Sequence, residues 1–499
     1  MAPIDVLIVG AGAAGCVLAA RLSEDPARRV LLLEAGPDYP ERLPEELRSG
    51  WGPVFSHDWG FESEPSGAGQ RLALARARVV GGCSQTNATF ALRGTPADYD
   101  AWGEGWSWSE VLPYFCRLES DLDFGSDPWH GSEGPLPIRR YRPDELNPWQ
   151  AAGLEALLAR GHAHVADHNR PDATGAGALP VNTLDGQRIS VATAYLAPAR
   201  ARPNLEIQPE ATVSRIVMRG GRAVGVEVGG TILAANAVVL CAGAFGTPAL
   251  LLRSGIGDRA QLRAHGIGCV IDLPGVGENL IDHPLCLLEV RLSSPPAAGP
   301  RYQVIGTWRS AVADGRRPYD MQHVLSGPHG VGGETETGRV GALSCALMRP
   351  RSRGRLRLRS ANPDDLPIID PAFLTHPDDV DRLIEGIQRC RELLATDPLA
   401  RMAYGPTLDP AAEATDDERL VAFAHGHAST YFHPVGTCRL GEDPREGAVV
   451  DRHCRVHGAE RLWIADASVM PDIPAANTHV PTLMIAERAA QWLQDMEDQ

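Results

Sequence analysis

Residues 430–441, TYFHPVGTCRLG, set a histidine behind two aromatic residues, ahead of a proline and five positions before a cysteine. Four chemistries fit His433 in that setting. With His425 and His427 it could ligate a metal, but no carboxylate or cysteine spacing completes a tetrahedral set, so no metal is expected. With Cys438 it could form a nucleophile pair, yet nothing else resembling an acyl-transfer site accompanies the two. It could be a packed core histidine. It could also be a general base, because neutral imidazole, with a pKa near ~6.5, takes a proton around neutrality. A second group, His162, His164, Asp167 and His168, is equally short of a ligand set and reads as a surface loop.

The elements that would position such chemistry begin at the N-terminus. VLIVGAGAAGCVLAARLSEDPARRVLLLEAG reads as strand, turn, helix, strand. Val6 to Val9 form an apolar run suited to a parallel strand buried on both faces. Gly10, Gly12 and Gly15 supply G-x-G-x-x-G: a tight turn, a close backbone approach to a pyrophosphate, and close packing of helix on strand. The helix that follows turns its positive end toward phosphates. A second strand, Val30 to Leu33, ends in Glu34, placed to hydrogen-bond a ribose. An acid there disfavours a 2′-phosphate, and so NADP, but does not separate NAD from FAD.

The whole chain narrows the class. Its 499 residues exceed one compact core, so two domains are expected. A net charge of -16 argues against nucleic acid or an anionic membrane as a partner. All 47 basic residues are arginine, which excludes a Schiff-base lysine. Ten cysteines occur without a CxxC pair, and the glycine-broken apolar start is neither a signal peptide nor a transmembrane segment. Reduced thiols in a cytoplasmic protein are the expectation.

Three further stretches carry more. RVVGGCSQTNATFALRGTPADYDAW (78–102) joins a glycine pair to small polar residues, as where backbone passes close to a flat ring. GAFGTPALLLRSGIG (243–257) follows an apolar strand, and RLWIADASVMPDIPAANTHVPTLMIAERAA (461–490) reads as a strand ending in an acid, an irregular loop, and a helix near Pro481. Together with GWSWSEVLPYF, LPGVGENLIDHP, SRGRLRLRSANPDDLPIIDPAFL and HPVGTCRLG, these make the chain resemble the glucose–methanol–choline (GMC) family of FAD-dependent oxidoreductases, almost end to end. The likeness is to choline dehydrogenase-like members, and LESDLDFG and CALMRPRSRGRL resemble actinobacterial ones.

That resemblance implies a fold and a site. The fold is α/β: a Rossmann-like FAD-binding domain assembled from 1–140, 190–285 and 425–499, with an α+β substrate domain carrying an antiparallel sheet from 141–189 and 286–424. Gly10, Gly12, Ala14, Gly15, Glu34 and Ala35 would hold the adenosine diphosphate half of FAD. Val80, Gly82 and Asn87 would line the flavin, Val213 would meet adenine through its backbone, and Asp466, Ala467 and Thr478 would complete the cofactor contacts. The final helix would point its N-terminus at the flavin's pyrimidine end, where reduced flavin is anionic. His433 becomes the base and Asn477 its partner on the substrate oxygen, with Phe432 walling the substrate pocket. Some members attach FAD through a histidine just before the asparagine of the glycine-pair motif; Thr86 stands there, so FAD should be noncovalent. Cys83 replaces the commoner serine and receives no catalytic role.

The implied activity is oxidation of a small-molecule alcohol to a carbonyl, with electrons passing to O2 or another acceptor. The competing readings are a hydroxynitrile lyase of the same fold, holding FAD without redox turnover, and a nicotinamide-dependent dehydrogenase, which leaves 461–490 unexplained. Residues 353–360, RGRLRLRS, alternate as a half-buried strand should. The stretch 286–340, rich in Gly, Pro and Ser, reads as loops over the active-site entrance.

Overall fold

Ile4–Val9 is aliphatic throughout its second half and lies between two parallel neighbours, Val30–Leu33 and Thr231–Leu240, so burial on both faces accounts for its composition. This computed structural model describes residues 3–495 apart from 67–68, 294–298, 314, 316, 330–339, 406, 410–413 and 415. Leu205–Gln208 extends the parallel sheet beyond Val30–Leu33, and Leu462–Ile464 pairs with the end of Thr231–Leu240. Antiparallel strands Val213–Arg219 and Arg222–Val228 continue from the far half of Thr231–Leu240. The register brings Val9 beside both Leu33 and Leu240, and Leu240 beside Ile464. Strands from distant parts of the chain thus end level at one edge of the sheet. Helices Ala13–Leu22 and His479–Asp495 pack on each other and on this sheet through shared core side chains such as Leu18 and Ile485.

The second sheet is antiparallel, and in spatial order its main strands are Pro284–Leu292, Val340–Leu347, Met321–His329, Val304–Trp308 and Ala176–Ala178. Its strands alternate faces as the pleat requires. Cys286, Leu288, Leu325, Leu343 and Cys345 turn into a core under helix Pro377–Leu394. Leu285, Leu287, Val324, Ser326 and Ser344 turn the other way, into a cavity. Gly386 lets the helix lie close, since a Cβ there would stand 2.8 Å from the Cβ of Cys345.

The α/β class with a separate antiparallel sheet is borne out. One expectation about the strands is corrected. The stretch 286–340 is not a set of entrance loops: its described part supplies most of strand Pro284–Leu292 and all of Val304–Trp308 and Met321–His329, while 294–298 and 330–339 lie outside the described residues. Glycine and serine there fit a sheet whose one face lines a cavity. Within RGRLRLRS the half-buried alternation is borne out: Arg355–Arg357 is a strand paired with Ile368–Asp370, and buried Leu356 and Leu358 join the core of the parallel sheet.

The reading of 162–168 as a surface loop is also corrected. Asp167 and His168 are buried, and Asp167 accepts hydrogen bonds from His130 Nε2 at 2.9 Å and from Arg140. His130 further contacts Glu119 and Asp121, and Arg93 pairs with Glu119 while Arg140 pairs with Asp121. Glu119, Asp121 and His130 stand close enough to hold a metal, but each acid already pairs with a guanidinium. Burial alone would lower the pKa of His130; its bonds to Asp121, Asp167 and Glu119 instead push it up to about 10.

Candidate active site

The level strand ends open onto a cavity of about 660 Å³ that runs to the antiparallel sheet. Gly10 follows Val9 with φ +97°, and a Cβ on it would stand 2.6 Å from the carbonyl oxygen of Cys241. A Cβ on Gly15 would lie 1.9 Å from the Gly10 oxygen, which is how closely the helix packs on the strand. Gly12 is different: nothing comes nearer a Cβ there than the Cα of Gly82 at 4.0 Å, so this side of the loop is open. Ala13 and Ala14, in the first turn of helix Ala13–Leu22, line the cavity, and so its N-terminus faces in.

Glu34 is 7% exposed and its two oxygens accept the backbone N–H groups of Ala11 and Gly36, each at 2.9 Å. Burial raises its pKa to about 7 against those hydrogen bonds. The carboxylate therefore braces the glycine loop as well as facing the cavity. Asp466, next after Leu462–Ile464 and Ala465, accepts from Gly243 N at 2.8 Å, Thr247 Oγ1 at 2.6 Å and Ser468 N at 2.8 Å, pinning the start of helix Gly243–Arg253 to the sheet edge. Ala35, Gly82, Asn87, Val213, Ala467 and Thr478 also line the cavity. Gly15 and Val80 do not; they stand behind the lining, Val80 only 1% exposed.

His433 reaches the same cavity through an unusual turn. Phe432 has φ +63°, a conformation costly for a bulky side chain. It is held there because its N–H donates to Thr430 Oγ1 at 2.7 Å and its carbonyl accepts from Arg76 at 2.8 Å. Its half-buried ring meets the Phe55 ring at 5.8 Å. Asp282 accepts the His433 N–H at 2.9 Å and the Thr430 hydroxyl, and backbone pairs Tyr431–His283 and Val435–Ile281 fasten the two segments together.

The imidazole of His433 has a partner at each nitrogen. Nδ1 lies 2.9 Å from Nδ1 of His283, and Nε2 lies 3.0 Å from Nδ2 of Asn477. With the Asn477 amide donating, Nε2 carries the ring's one lone pair and the Nδ1 proton goes to His283; a hydroxyl reaches that lone pair by displacing the Asn477 N–H. Burial, then His283 and Arg76, hold the pKa of His433 well below the usual histidine value, and burial holds His283 down to about 3. Both rings are neutral at pH 7. The buried Oδ1 of Asn477 has no partner, and Asn477, Thr478 and His479 lead into the final helix, whose N-terminus also faces the cavity.

His433 is not brought to Cys438. That thiol is fully buried with its pKa pushed well up, and it is absent from the cavity lining. Nor do His425 and His427 join it: His425 is exposed on the surface, and His427 pairs with Asp409 at 2.7 Å at the cavity mouth. Sequence reasoning missed His283, although it stands in LPGVGENLIDHP, because nothing local shows that this segment pairs with one 150 residues on. Phe55, Phe90, Leu285, Leu287, Tyr302 and Val324 give the rest of the cavity near the antiparallel sheet its apolar walls.

Profiles of the GMC oxidoreductases match residues 4–285 and 350–486. The chain belongs to the GMC oxidoreductase family. It is 37% identical over 506 residues to an uncharacterized GMC-type oxidoreductase of Rhodococcus erythropolis, with 98% of each chain covered. It is 36% identical over 533 residues to 5-(hydroxymethyl)furfural oxidase of Methylovorus sp., covering 97% of this chain and 98% of that one. Among solved structures, pyridoxine 4-oxidase from Mesorbium loti superposes with a TM-score of 0.90 at 33% identity, covering 98% of this chain and 99% of the other. No helix among the described residues is long and apolar enough to cross a membrane.

Proposed function

We propose that this GMC oxidoreductase oxidises an alcohol CH–OH to a carbonyl, using noncovalent FAD. One observation carries the reading: a neutral histidine and an asparagine with an unpartnered oxygen face the same cavity as a dinucleotide cradle. The cradle suits the cofactor. Gly12 is open toward the cavity, a Cβ on Gly243 would meet nothing within 4 Å, and two helix N-termini face in, as a pyrophosphate and an anionic ring need. The Gly10–Gly15 loop, Glu34 and Ala35 would hold the adenosine diphosphate half, and Gly82, Asn87, Asp466, Ala467 and Thr478 the flavin half. Bound there, FAD supplies the acceptor for the hydride leaving the carbinol carbon.

The protein's part is the hydroxyl. His433 Nε2 takes its proton, which raises electron density on oxygen as the C–H bond weakens. Asn477 steers the same oxygen through a neutral hydrogen bond, and the apolar walls exclude water that would compete for it. His283 keeps the His433 Nδ1 proton in place, so that Nε2 is the basic nitrogen. Thr86 at the position where a linking histidine would stand supports a cofactor free of the chain.

Anaerobic addition of an alcohol panel to the yellow protein tests this: at least one alcohol should bleach the flavin, and admitting air or an artificial dye should restore it. A protein that binds FAD yet bleaches with none of them would refute alcohol oxidation and favour a lyase. Acid precipitation should release all the colour; yellow pellet would refute noncovalent binding.

A further inference from the structure

The chain carries a net charge of -16, yet four guanidiniums at or beside the active cavity have no carboxylate partner. Arg253 lines it and donates to the Asp365 carbonyl. Arg76 lines it and donates to the Phe432 carbonyl. Arg188, 2% exposed, spends its hydrogen bonds on the carbonyls of Leu47, Gln85, Gly52 and Asn87. Arg301 lines the cavity near the antiparallel sheet, and its guanidinium has no hydrogen bond or ion pair among the described residues. The carboxylates that line the same cavity, Glu34, Asp58 and Asp466, each already accept backbone N–H groups. The lining thus sets three guanidiniums, Arg76, Arg253 and Arg301, against three carboxylates, and of these guanidiniums Arg301 alone makes no hydrogen bond among the described residues, which leaves it open to an anion.

Arg301 is built as a receptor. Its N–H donates to the Trp51 carbonyl at 2.8 Å, and its carbonyl accepts from Gly327 N at 3.0 Å and Gln150 Nε2 at 2.8 Å, so the backbone is fixed while the guanidinium stays free. Its stem passes over Gly52, where a Cβ would stand 3.0 Å from Arg301 Cδ. A file of rings leads from the base to this point: His433 to Tyr431 at 4.4 Å, Tyr431 to Phe90 at 6.5 Å, Phe90 to Tyr302 at 5.3 Å. Tyr302 is Arg301's neighbour in the chain. An aromatic or otherwise flat apolar body fits along that file.

Building on the alcohol-oxidation reading, we infer that the substrate is an alcohol bearing a negatively charged group remote from its carbinol, and that Arg301 receives that group. A guanidinium fork suits a carboxylate in two parallel hydrogen bonds. A quaternary ammonium group is the wrong charge to sit against Arg301.

The test compares kcat/KM for benzyl alcohol, its 4-trimethylammonio derivative, 4-(hydroxymethyl)benzoate, and the longer 4′-(hydroxymethyl)biphenyl-4-carboxylate, in wild type and Arg301→Met. One of the two acids should be preferred over benzyl alcohol and the cation should be worst, with the preference narrowing as salt is raised. Arg301→Met should cut the acid-to-neutral ratio ~10–100-fold, and Arg301→Lys should restore part of it. A ratio unchanged in Arg301→Met, or a proportional fall for every substrate, would overturn the inference while leaving alcohol oxidation intact. If no alcohol reduces the flavin, that broader reading fails. Calorimetric binding of 4-formylbenzoate to the flavin-loaded protein then decides for Arg301: weaker binding in Arg301→Met sustains it, equal binding sinks it.

Discussion

Replacing His433 by alanine separates chemistry from architecture. On the proposed reading the ring takes the hydroxyl proton, so flavin reduction by a good substrate should slow ~10²–10⁴-fold, a barrier rise of ~3–5 kcal/mol. The same change strands two partners. Asn477 faces the cavity, where water can replace the lost bond, whereas His283 is fully buried and its Nδ1 is left bare. The stability cost should therefore be one unsatisfied buried group, ~1–3 kcal/mol, and flavin content should hold. Rapid-mixing spectroscopy at saturating substrate reads the first effect and thermal unfolding the second. His433→Gln should recover much of the stability and little of the rate. The pH dependence is a further check. A base must be neutral, and burial with His283 and Arg76 nearby holds the His433 pKa well below the usual histidine value. Wild-type reduction should accordingly rise with pH in the acid range and already be flat at pH 6.5. An inflection above ~6.5, the ordinary histidine value, would assign the proton to another group. So would normal reduction in His433→Ala, which would leave the histidine a structural role only.

Asn477→Ala should slow flavin reduction ~10–10³-fold, less than loss of the base, since one neutral hydrogen bond to the reacting oxygen is removed; a larger loss than in His433→Ala would reverse the two roles. Cys438→Ser and Cys83→Ser should each turn over within a few-fold of wild type, and a ~10³-fold loss in either would restore thiol chemistry to the mechanism. The buried network at His130 should make stability fall in alkali: its pKa is raised to about 10, so the stabilisation is complete below ~6.5 and is lost as pH climbs through 10. With no lysine in the chain to titrate over that range, His130→Gln should flatten the decline in melting temperature between pH 7 and 10, and an unchanged slope would remove His130 as its source.

The glycine loop, Glu34 and the strands beside them were readable because each signal is local: an apolar run, a turn only glycine can make, an acid at a strand end. His433 stood out by its neighbours, but its proton partner His283 did not, because their contact is made by pairing between segments far apart in the chain. The same limit misled at Asp167, whose histidine and arginine partners come from residues 130 and 140. The stretch 286–340 misled for a different reason. One face of its strands lines a cavity, and small or hydroxylated residues such as Ser326 weaken the alternation that announces a half-buried strand. The unpaired Arg301 was likewise invisible, since a missing partner has no sequence signature.

The order in which the parallel sheet is assembled bears on how the protein is made. Thr231–Leu240 gains its outer neighbour only when Leu462–Ile464 has emerged, and the helix packed against Ala13–Leu22 comes later still. At ~5–20 residues per second a ribosome needs ~10–45 s to cover the stretch between those two strands. Throughout that interval the nascent chain holds an unfinished sheet edge and lacks Asp466, Asn477 and Thr478. If FAD binds as proposed, its capture is a late event in biogenesis, and a chain stalled before residue 460 would lack part of the cradle.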